Sequence, residues 1–188
     1  MVTRFEHAYV LNVLSNDHPG IVASVGNAVE KLGGNIDACS QTVLAGYFTL
    51  VMLVSFPKEV ACADLAAEVS GQDASGGLQV IARQFVDLQP AVAQKVERFV
   101  ITAFGKDCPG IVKRFSQYLA GRDINIVDLY GDRHGDEFVM ISEVEIPARW
   151  EISMLQADLE QLGADQGFTV RLQHENVFVA TNQLRLKR

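Results

Sequence analysis

The chain carries one sequence motif twice, at a fixed separation and in a register that continues beyond the motif. The first copy reads Asp17-His18-Pro19-Gly20-Ile21-Val22, and the second reads Asp107-Cys108-Pro109-Gly110-Ile111-Val112, 90 positions later. Downstream, Asn35-Ile36 falls on Asn125-Ile126 at the same separation. A repeat of this length is a whole small domain and not the unit of a solenoid. The chain should therefore contain two copies of one fold, with any functional site present in two versions.

The repeat divides the 188 residues into two small domains. We predict domain 1 over residues 5–88, a linker over 89–94, domain 2 over 95–180 and a C-terminal tail over 181–188. Domains of this size bury a modest share of their surface, so they gain stability by sharing surface or by forming oligomers. We therefore expect the two units to pair through their sheets and the chain to form a homodimer.

Sequence periodicity predicts the same order of elements in each half. In the first half, Ala8–Leu14 has the composition of a strand, and apolar residues over 21–32 repeat with helical spacing. Two further strands flank the Ala45-Gly46 turn, a second helix begins at Pro57, and Leu78–Val86 forms the last strand. This β-α-β-β-α-β order is the ferredoxin-like pattern, an α+β fold whose antiparallel sheet carries both helices on one face.

The sequence also predicts how two segments pack. Val10, Asn12 and Leu14 lie on one side of the first strand, and Asn12 is the one polar residue among them. We therefore expect this strand to be buried on both faces, like the central strand of a joined sheet. The segment Val177–Ala180 has no counterpart in the first half, and we expect it to pack back on the sheet or on a partner chain.

Composition narrows the class of partner. The formal net charge is -7, which disfavours direct, sequence-independent binding to the phosphates of nucleic acid. No apolar run approaches the length that spans a bilayer, so we expect no membrane association. The cysteines form no close-spaced pair, which indicates a reducing compartment and a cytoplasmic protein. These cysteines are Cys39, Cys62 and Cys108.

The sequence patterns of catalysis and metal binding are missing. Metal-ligand spacing is absent among His7, His18, His134 and His174. No phosphate-binding loop, dinucleotide fingerprint or nucleophile–histidine pattern occurs. Cys108, near a predicted helix start, is either a reactive thiol or a plain buried cysteine. We therefore predict no enzyme activity, no cofactor and no metal site.

The repeated motif has the chemistry of a carboxylate-binding turn. A strand-to-helix turn presents free backbone N–H groups at the positive end of the helix dipole. Gly20 and Gly110 would allow a ligand to approach the backbone closely. Asp17 and Asp107 could accept a hydrogen bond from a ligand ammonium group, or could cap the helix. The same residues also make an ordinary turn and helix start, so both interpretations stay open at this point.

The Asp-x-Pro-Gly-Ile-Val turn, followed after the helix by Asn-Ile, resembles the ACT domain. The tandem arrangement and the closing segment Leu172–Phe178 are similar to the glycine cleavage system transcriptional repressor family. The resemblance implies a non-enzymatic regulatory protein that binds a small amino acid, with glycine or serine as first candidates. It also implies modulation of transcription through a regulatory protein partner. The alternative is an ACT-type dimerisation or interaction protein with vestigial ligand pockets.

Motif and resemblance together define the candidate ligand-binding residues. Asn35 and Asn125 are expected beside the turn, where they would contact the ligand or cap the loop. Because Cys108 stands where the first copy has His18, the two sites need not bind alike. The full set is Asp17, His18, Pro19, Gly20, Ile21, Val22, Asn35, Ile36, Asp107, Cys108, Pro109, Gly110, Ile111, Val112, Asn125 and Ile126.

Overall fold

The computed structural model describes residues 3–72, 77–87 and 95–183. The chain forms two compact units, unit 1 over residues 1–89 and unit 2 over residues 90–188. Each unit folds in the order β-α-β-β-α-β, and one further helix follows in unit 2. The predicted ferredoxin-like α+β class is therefore confirmed. The predicted linker over 89–94 lies outside the described residues, and the domain bounds 5–88 and 95–180 stay predictions.

Unit 1 is built on one antiparallel sheet. Its elements are β1 His7–Asn16, α1 Ile21–Lys31, β2 Asn35–Leu44, β3 Tyr47–Phe56, α2 Cys62–Gly71 and β4 Gln79–Gln84. The strand order across the sheet is β2-β3-β1-β4. β1 therefore lies between β3 and β4, and its carboxyl end leads directly into the first copy of the motif.

Both helices of unit 1 cover the same face of the sheet. Tyr9, Leu11 and Val13 alternate along β1 and enter one buried cluster with Val25 of α1 and Leu65 of α2. Full burial of an apolar side chain of this size stabilises the fold by about 1.5–3 kcal/mol, so this stripe fixes which face of β1 turns inward.

Two expectations for unit 1 are corrected. The second helix begins at Cys62 and not at Pro57, because the backbone N–H of Val60 donates to the Tyr9 hydroxyl at 3.0 Å in a connecting segment. Strand β1 is fully buried on one face and only partly buried on the other, where Ala8 is 7% exposed and Leu14 is 40% exposed.

Unit 2 repeats the architecture. Its elements are β5 Val96–Lys106, α3 Ile111–Ala120, β6 Asn125–His134, β7 Glu137–Pro147, α4 Ile152–Ala164, β8 Phe168–His174 and α5 Glu175–Gln183. The strand order is β6-β7-β5-β8, again antiparallel throughout. Helix α5 contains the segment Val177–Ala180 and contacts β5 and β8, so the expectation that this segment packs back on the sheet is confirmed.

A cluster of aromatic and charged side chains ties α3 to α4 in unit 2. The Arg122 guanidinium lies 3.7 Å from the centre of the Tyr118 ring and forms an ion pair with Asp158 at 2.8 Å. The Tyr118 hydroxyl donates to the same carboxylate at 2.9 Å. The indole N–H of Trp150 donates to the backbone carbonyl of Arg122 at 2.8 Å. These contacts link the end of α3 to α4 on the outer surface of unit 2.

Candidate functional site

The turn formed by the first motif, residues 17–22, is called the first turn, and the turn formed by residues 107–112 is called the second. The first turn is anchored to a neighbouring hairpin. The backbone N–H of Asp17 donates to the carbonyl of Gly46 at 2.8 Å, and Asn16 pairs with Tyr47 at the end of the β1–β3 ladder. The turn that follows β1 therefore sits beside the tip of the β2–β3 hairpin. This contact positions the motif at one end of the sheet.

Glycine is required at the helix start of the motif. Gly20 is the residue before α1 and has a φ of 103°, a conformation that other residues rarely adopt. The carbonyl of Gly20 accepts the first helical hydrogen bond, from Ser24 at 2.9 Å. Ile21 is buried in the core of unit 1, whereas Val22 is exposed. Ile21 therefore anchors the helix start, and Val22 faces outward.

The turn lines a hollow of about 440 Å³. The walls come from the motif itself, from Ala23 in the first turn of α1, and from two residues of the neighbouring hairpin, Gln41 and Phe48. Sequence reasoning missed Ala23 and both hairpin residues. The hairpin residues could have been found from the Ala45-Gly46 turn, because a two-residue hairpin fixes which residues of β2 and β3 lie near its tip.

The Asp17 side chain does not cap the helix. Within the part of the chain that the structure describes, α1 begins without any side-chain capping hydrogen bond. The Asp17 carboxylate is exposed at the mouth of the hollow, and His18 is half-buried with its Nδ1 3.1 Å from the carbonyl oxygen of Pro19. The capping interpretation of Asp17 is therefore wrong for this structure, and its carboxylate remains available to a ligand.

The second turn has the same backbone and a different charge environment. The N–H of Asp107 donates to the carbonyl of Asp136 at 2.7 Å, and Gly110 has a φ of 88° before α3. The Arg133 guanidinium, however, lies 3.5 Å from the Asp107 carboxylate. Cys108 is half-buried and packs against the core of unit 2, which agrees with the plain buried cysteine.

The other residues of the second motif are buried or exposed in the same way as their counterparts in unit 1. Ile111 is buried, while Val112 is exposed. Pro109 is exposed like Pro19. As in unit 1, no side chain among the described residues caps the helix that follows.

Asn35 does not lie beside the turn of its own unit. Asn35 pairs with Ser55, and Ser55 pairs with Ala8 at the beginning of β1, whereas the turn follows Asn16 at the end of β1. Strand geometry puts these two ends about 26 Å apart. The expected position beside the turn is therefore wrong, because α1 carries the chain back along the full length of the sheet before β2 begins.

The Asn35 amide is engaged locally. It donates to Asp37 Oδ1 at 2.8 Å, and the same oxygen accepts from the backbone N–H of Arg4 at 3.0 Å. Burial alone would raise the pKa of Asp37, but hydrogen bonds from Ser55, Arg4 and Asn35 together hold the pKa of this carboxyl below its usual value. Asn35 thus helps to fix the start of β2 as its loop-capping interpretation predicts.

Unit 2 places its Asn-Ile pair in the equivalent position. Asn125 is exposed at the start of β6 and pairs with Glu145, again at the end of the sheet opposite the turn. Ile126 packs against the core of unit 2, and Ile36 is 39% exposed. The structure therefore brings together the six residues of each turn and leaves both Asn-Ile pairs apart from them.

The described residues present no arrangement for metal binding. Residues 3–72, 77–87 and 95–183 contain no cluster of three or more His, Cys, Asp or Glu side chains that could hold a metal ion. None of the helices in these ranges is both long and apolar enough to cross a bilayer.

Comparison with protein families identifies both repeats. The sequence profile of the ACT domain matches residues 7–83 and again residues 97–173. A UPF0237 protein of Methanococcus maripaludis is 40% identical over 84 residues, which are 44% of this chain and 93% of the relative. A UPF0237 protein of Methanosarcina acetivorans is 35% identical over 82 residues, 43% of this chain and 89% of the relative. Each of these relatives therefore aligns with about one unit.

Two solved structures share the tandem architecture. An unknown protein from Galdieria sulphuraria superposes with a TM-score of 0.74 at 21% identity, over 89% of this chain and 98% of that chain. A candidate glycine cleavage system transcriptional repressor superposes with a TM-score of 0.63 at 19% identity, over 90% of this chain and 98% of that chain. At these identities the likeness is one of fold.

Proposed function

Because the chain belongs to the ACT domain family, we propose that it is a regulatory protein that binds a small amino acid at the first turn. Glycine and serine are the first candidates for the ligand. In this proposal the bound amino acid changes how the chain associates with a regulatory protein partner, and the complex modulates transcription of amino-acid metabolism. The chain itself acts without catalysis and without a cofactor, in the cytoplasm.

The observation that carries the proposal is the hollow at the start of α1. A free amino acid has a carboxylate and an ammonium group close together, so its site must offer both signs of charge within a few ångströms. The start of α1 supplies backbone N–H groups and the positive end of the helix dipole. The exposed Asp17 carboxylate at the same hollow supplies the negative group.

Of the two units, unit 1 is the better candidate for the amino-acid-binding site. In unit 2 the Arg133 guanidinium already lies beside Asp107, where a ligand ammonium group would have to bind. The position equivalent to Arg133 in unit 1 is Val43, which carries no charge. A ligand ammonium group at the first turn therefore meets no competing cation from this position.

Asn35 can contact a ligand bound at the first turn only if the two belong to different copies of the fold. Since Asn35 and the turn lie about 26 Å apart within one unit, a single ligand cannot touch both there. A second copy of the chain could place its Asn35 at the first copy's turn. Ligand binding would then depend on association, and by linkage the ligand would favour the associated state.

The alternative function is a dimerisation or interaction protein with vestigial pockets. The observation that favours it is the ion pair between Arg133 and Asp107, which places a cation of the protein itself beside the carboxylate of the second turn. If unit 1 also fails to bind an amino acid, the turns would be structural features of the fold alone.

The test is calorimetric titration of the whole chain with the standard amino acids at millimolar concentration. We expect binding heat with at least one small amino acid and an increase in thermal stability with the same compound. A ligand at 100 times its Kd stabilises the folded state by about 2.7 kcal/mol, which a thermal shift detects readily. A flat response to every amino acid in both measurements would favour the interaction-protein alternative.

The regulatory part of the proposal needs a second experiment. Affinity capture from the native host, with and without the amino acid identified by calorimetry, should recover a partner in a ligand-dependent amount. Coupling between two sites is usually worth about 1–3 kcal/mol, so the expected change in partner affinity is about 5- to 150-fold. If the same amount of partner is recovered in both conditions, the bound amino acid does not regulate partner binding.

A further inference from the structure

The hollow at the first turn is bordered by a glutamine of the neighbouring edge strand. Gln41, in β2, forms part of its wall together with the motif. Gln41 is exposed, and its side-chain amide forms no hydrogen bond with any residue in the ranges 3–72, 77–87 and 95–183. His18, by contrast, is half-buried, and its Nδ1 lies 3.1 Å from the carbonyl oxygen of Pro19. Gln41 therefore offers its amide to a molecule bound in the hollow.

Strand register separates Gln41 from the Asp17 carboxylate. Gln41 and Val13 both pair with Leu50, which belongs to the core of unit 1. Residues directly opposite one another share a face, so Gln41 lies on the face of the sheet that carries the helices. Asp17 follows Val13 by four residues and therefore lies further along the sheet than Gln41. With a ligand ammonium group at Asp17 and its carboxylate at the start of α1, the group left to meet Gln41 is the ligand side chain.

The charges at the hollow favour a ligand side chain that is polar and uncharged. Among the described residues that line it, Asp17 is the acidic one and none is Lys or Arg. An acidic ligand side chain would be repelled by Asp17 and would find no cation in these walls. A basic side chain would compete with the ligand's own ammonium group for one carboxylate. The Gln41 amide both donates and accepts hydrogen bonds, so it suits a hydroxyl or a carboxamide.

Unit 2 has no amide at the equivalent position. Gly131 stands 90 positions after Gln41 and pairs with Met140, just as Gln41 pairs with Leu50. A Cβ at Gly131 would lie 2.9 Å from the ring of Phe138, so this ring takes the space in which a side chain would begin. Strand β6 pairs with β7 without a side chain at this position. The pairing of the two strands therefore does not require a glutamine here.

We propose that Gln41 determines the ligand specificity of the first turn, by hydrogen bonding to an uncharged polar side chain of the bound amino acid. This inference rests on the proposed function, because it assigns the side-chain contact of that same ligand. It favours serine over glycine, and hydroxyl and carboxamide side chains over apolar ones of similar size. A hydrogen bond between uncharged groups changes an affinity by about 3- to 10-fold, and this is the preference expected at an open hollow.

The test compares pairs of free amino acids that differ chiefly in one polar group. Serine and alanine differ by a hydroxyl, and asparagine and leucine have similar shapes but differ by a carboxamide. Calorimetric titration of the whole chain gives the Kd of each compound. We expect the wild type to bind the polar member of at least one pair about 3- to 10-fold more tightly than the apolar member.

One substitution assigns this preference to the glutamine. Gln41→Met keeps the length of the side chain and removes its hydrogen-bonding groups. We expect it to weaken the polar ligand by about 3- to 10-fold and to leave the Kd of the apolar ligand unchanged. Gln117→Met makes the same change at an exposed position of α3, away from the hollow, and should retain the wild-type ratio. Far-ultraviolet circular dichroism should be the same for both variants and the wild type.

Three results would overturn the proposal. The first is equal affinity of the wild type for both members of each pair, and the second is a preference that persists in Gln41→Met. The third is equal weakening of polar and apolar ligands in Gln41→Met, which would place the amide against the ligand's carboxylate or ammonium group. If no amino acid binds the chain, the proposed function fails and this inference fails with it. If amino acids bind without a preference that depends on Gln41, this inference alone fails.

Discussion

The Arg133 guanidinium lies 3.5 Å from the Asp107 carboxylate, and it also donates to the carbonyl of Gly135 at 2.8 Å. The second contact holds the guanidinium at the tip of the β6–β7 hairpin. Unit 1 has Val43 at the equivalent position. Two turns with the same backbone conformation therefore present different charges to a ligand, and this difference can be tested by substitution.

Asp17→Asn should weaken amino-acid binding by about 10- to 100-fold, because a hydrogen bond to a charged group contributes about 1.5–3 kcal/mol. The matched change Asp107→Asn should have little effect. Calorimetry on both variants checks this. Asp17 is preferred to Gly20 for the purpose, since any side chain at Gly20, with its φ of 103°, would strain the turn itself. Equal losses in the two variants would assign ligand binding to both turns.

Arg133→Val should give the second turn the charge environment of the first. The Asp107 carboxylate would then be free to accept from a ligand, and the number of amino acids bound per chain should rise. Arg98→Ala removes one positive charge from the same unit at a distance from the turn and serves as the control. Calorimetric stoichiometry is the measurement, and an unchanged value in Arg133→Val would show that the ion pair does not limit binding.

Gly105→Ala should destabilise the chain by about 1–3 kcal/mol, the usual effect of overpacking a close contact. A Cβ at Gly105 would lie 2.5 Å from the carbonyl oxygen of Gly167 and 2.8 Å from the Cα of Phe168, both backbone atoms that cannot rotate away. Gly26→Ala, inside α1 with nothing within 4 Å, should instead stabilise by about 0.5–1 kcal/mol. Urea unfolding measures the free energy of unfolding of both variants and of the wild type. A neutral Gly105→Ala would contradict the close approach of β5 to the start of β8.

Tyr118 should ionise later than an ordinary tyrosine. Burial, with a further contribution from its hydrogen bond to Asp158, raises the pKa of Tyr118 to about 12 from 10.0. Because the folded pKa lies above the unfolded one, the stabilisation by this group is complete below about pH 10 and is lost between about pH 10 and 12. Alkaline titration of phenolate absorbance should show a late step that Tyr118→Phe removes. A titration curve with the same late step in the variant would assign that step to another tyrosine.

Much of the fold could be predicted from local sequence signals. The alternation of Tyr9, Leu11 and Val13 predicts which face of β1 is buried, and the helical spacing of apolar residues over 21–32 predicts the helix that the structure has at Ile21–Lys31. The boundary of α2 could not be predicted in the same way. Pro57 is a suitable first residue of a helix, but the contact between Val60 and the distant Tyr9 hydroxyl delays the helix to Cys62.

The candidate site was predictable in its turns and not in its surroundings. The residues from Asp17 to Val22 are consecutive, so the sequence alone brings them together. The contribution of Gln41 and Phe48 to the hollow depends on the pairing of β2 with β3. The separation of Asn35 from Asp17 depends on how far α1 returns along the sheet, a distance that motif spacing does not express.

The sequence by itself therefore determined that this chain contains two ACT units, in which order their elements follow and where each turn lies. These properties depend on the repeat and on periodicities within a single element. The tertiary structure alone decided which end of the sheet each Asn-Ile pair occupies, which cation meets Asp107, and how Val51 and Ile81 come to lie on either side of Asn12. These relationships arise from strand register, in which residues far apart in the chain are placed side by side by backbone hydrogen bonds.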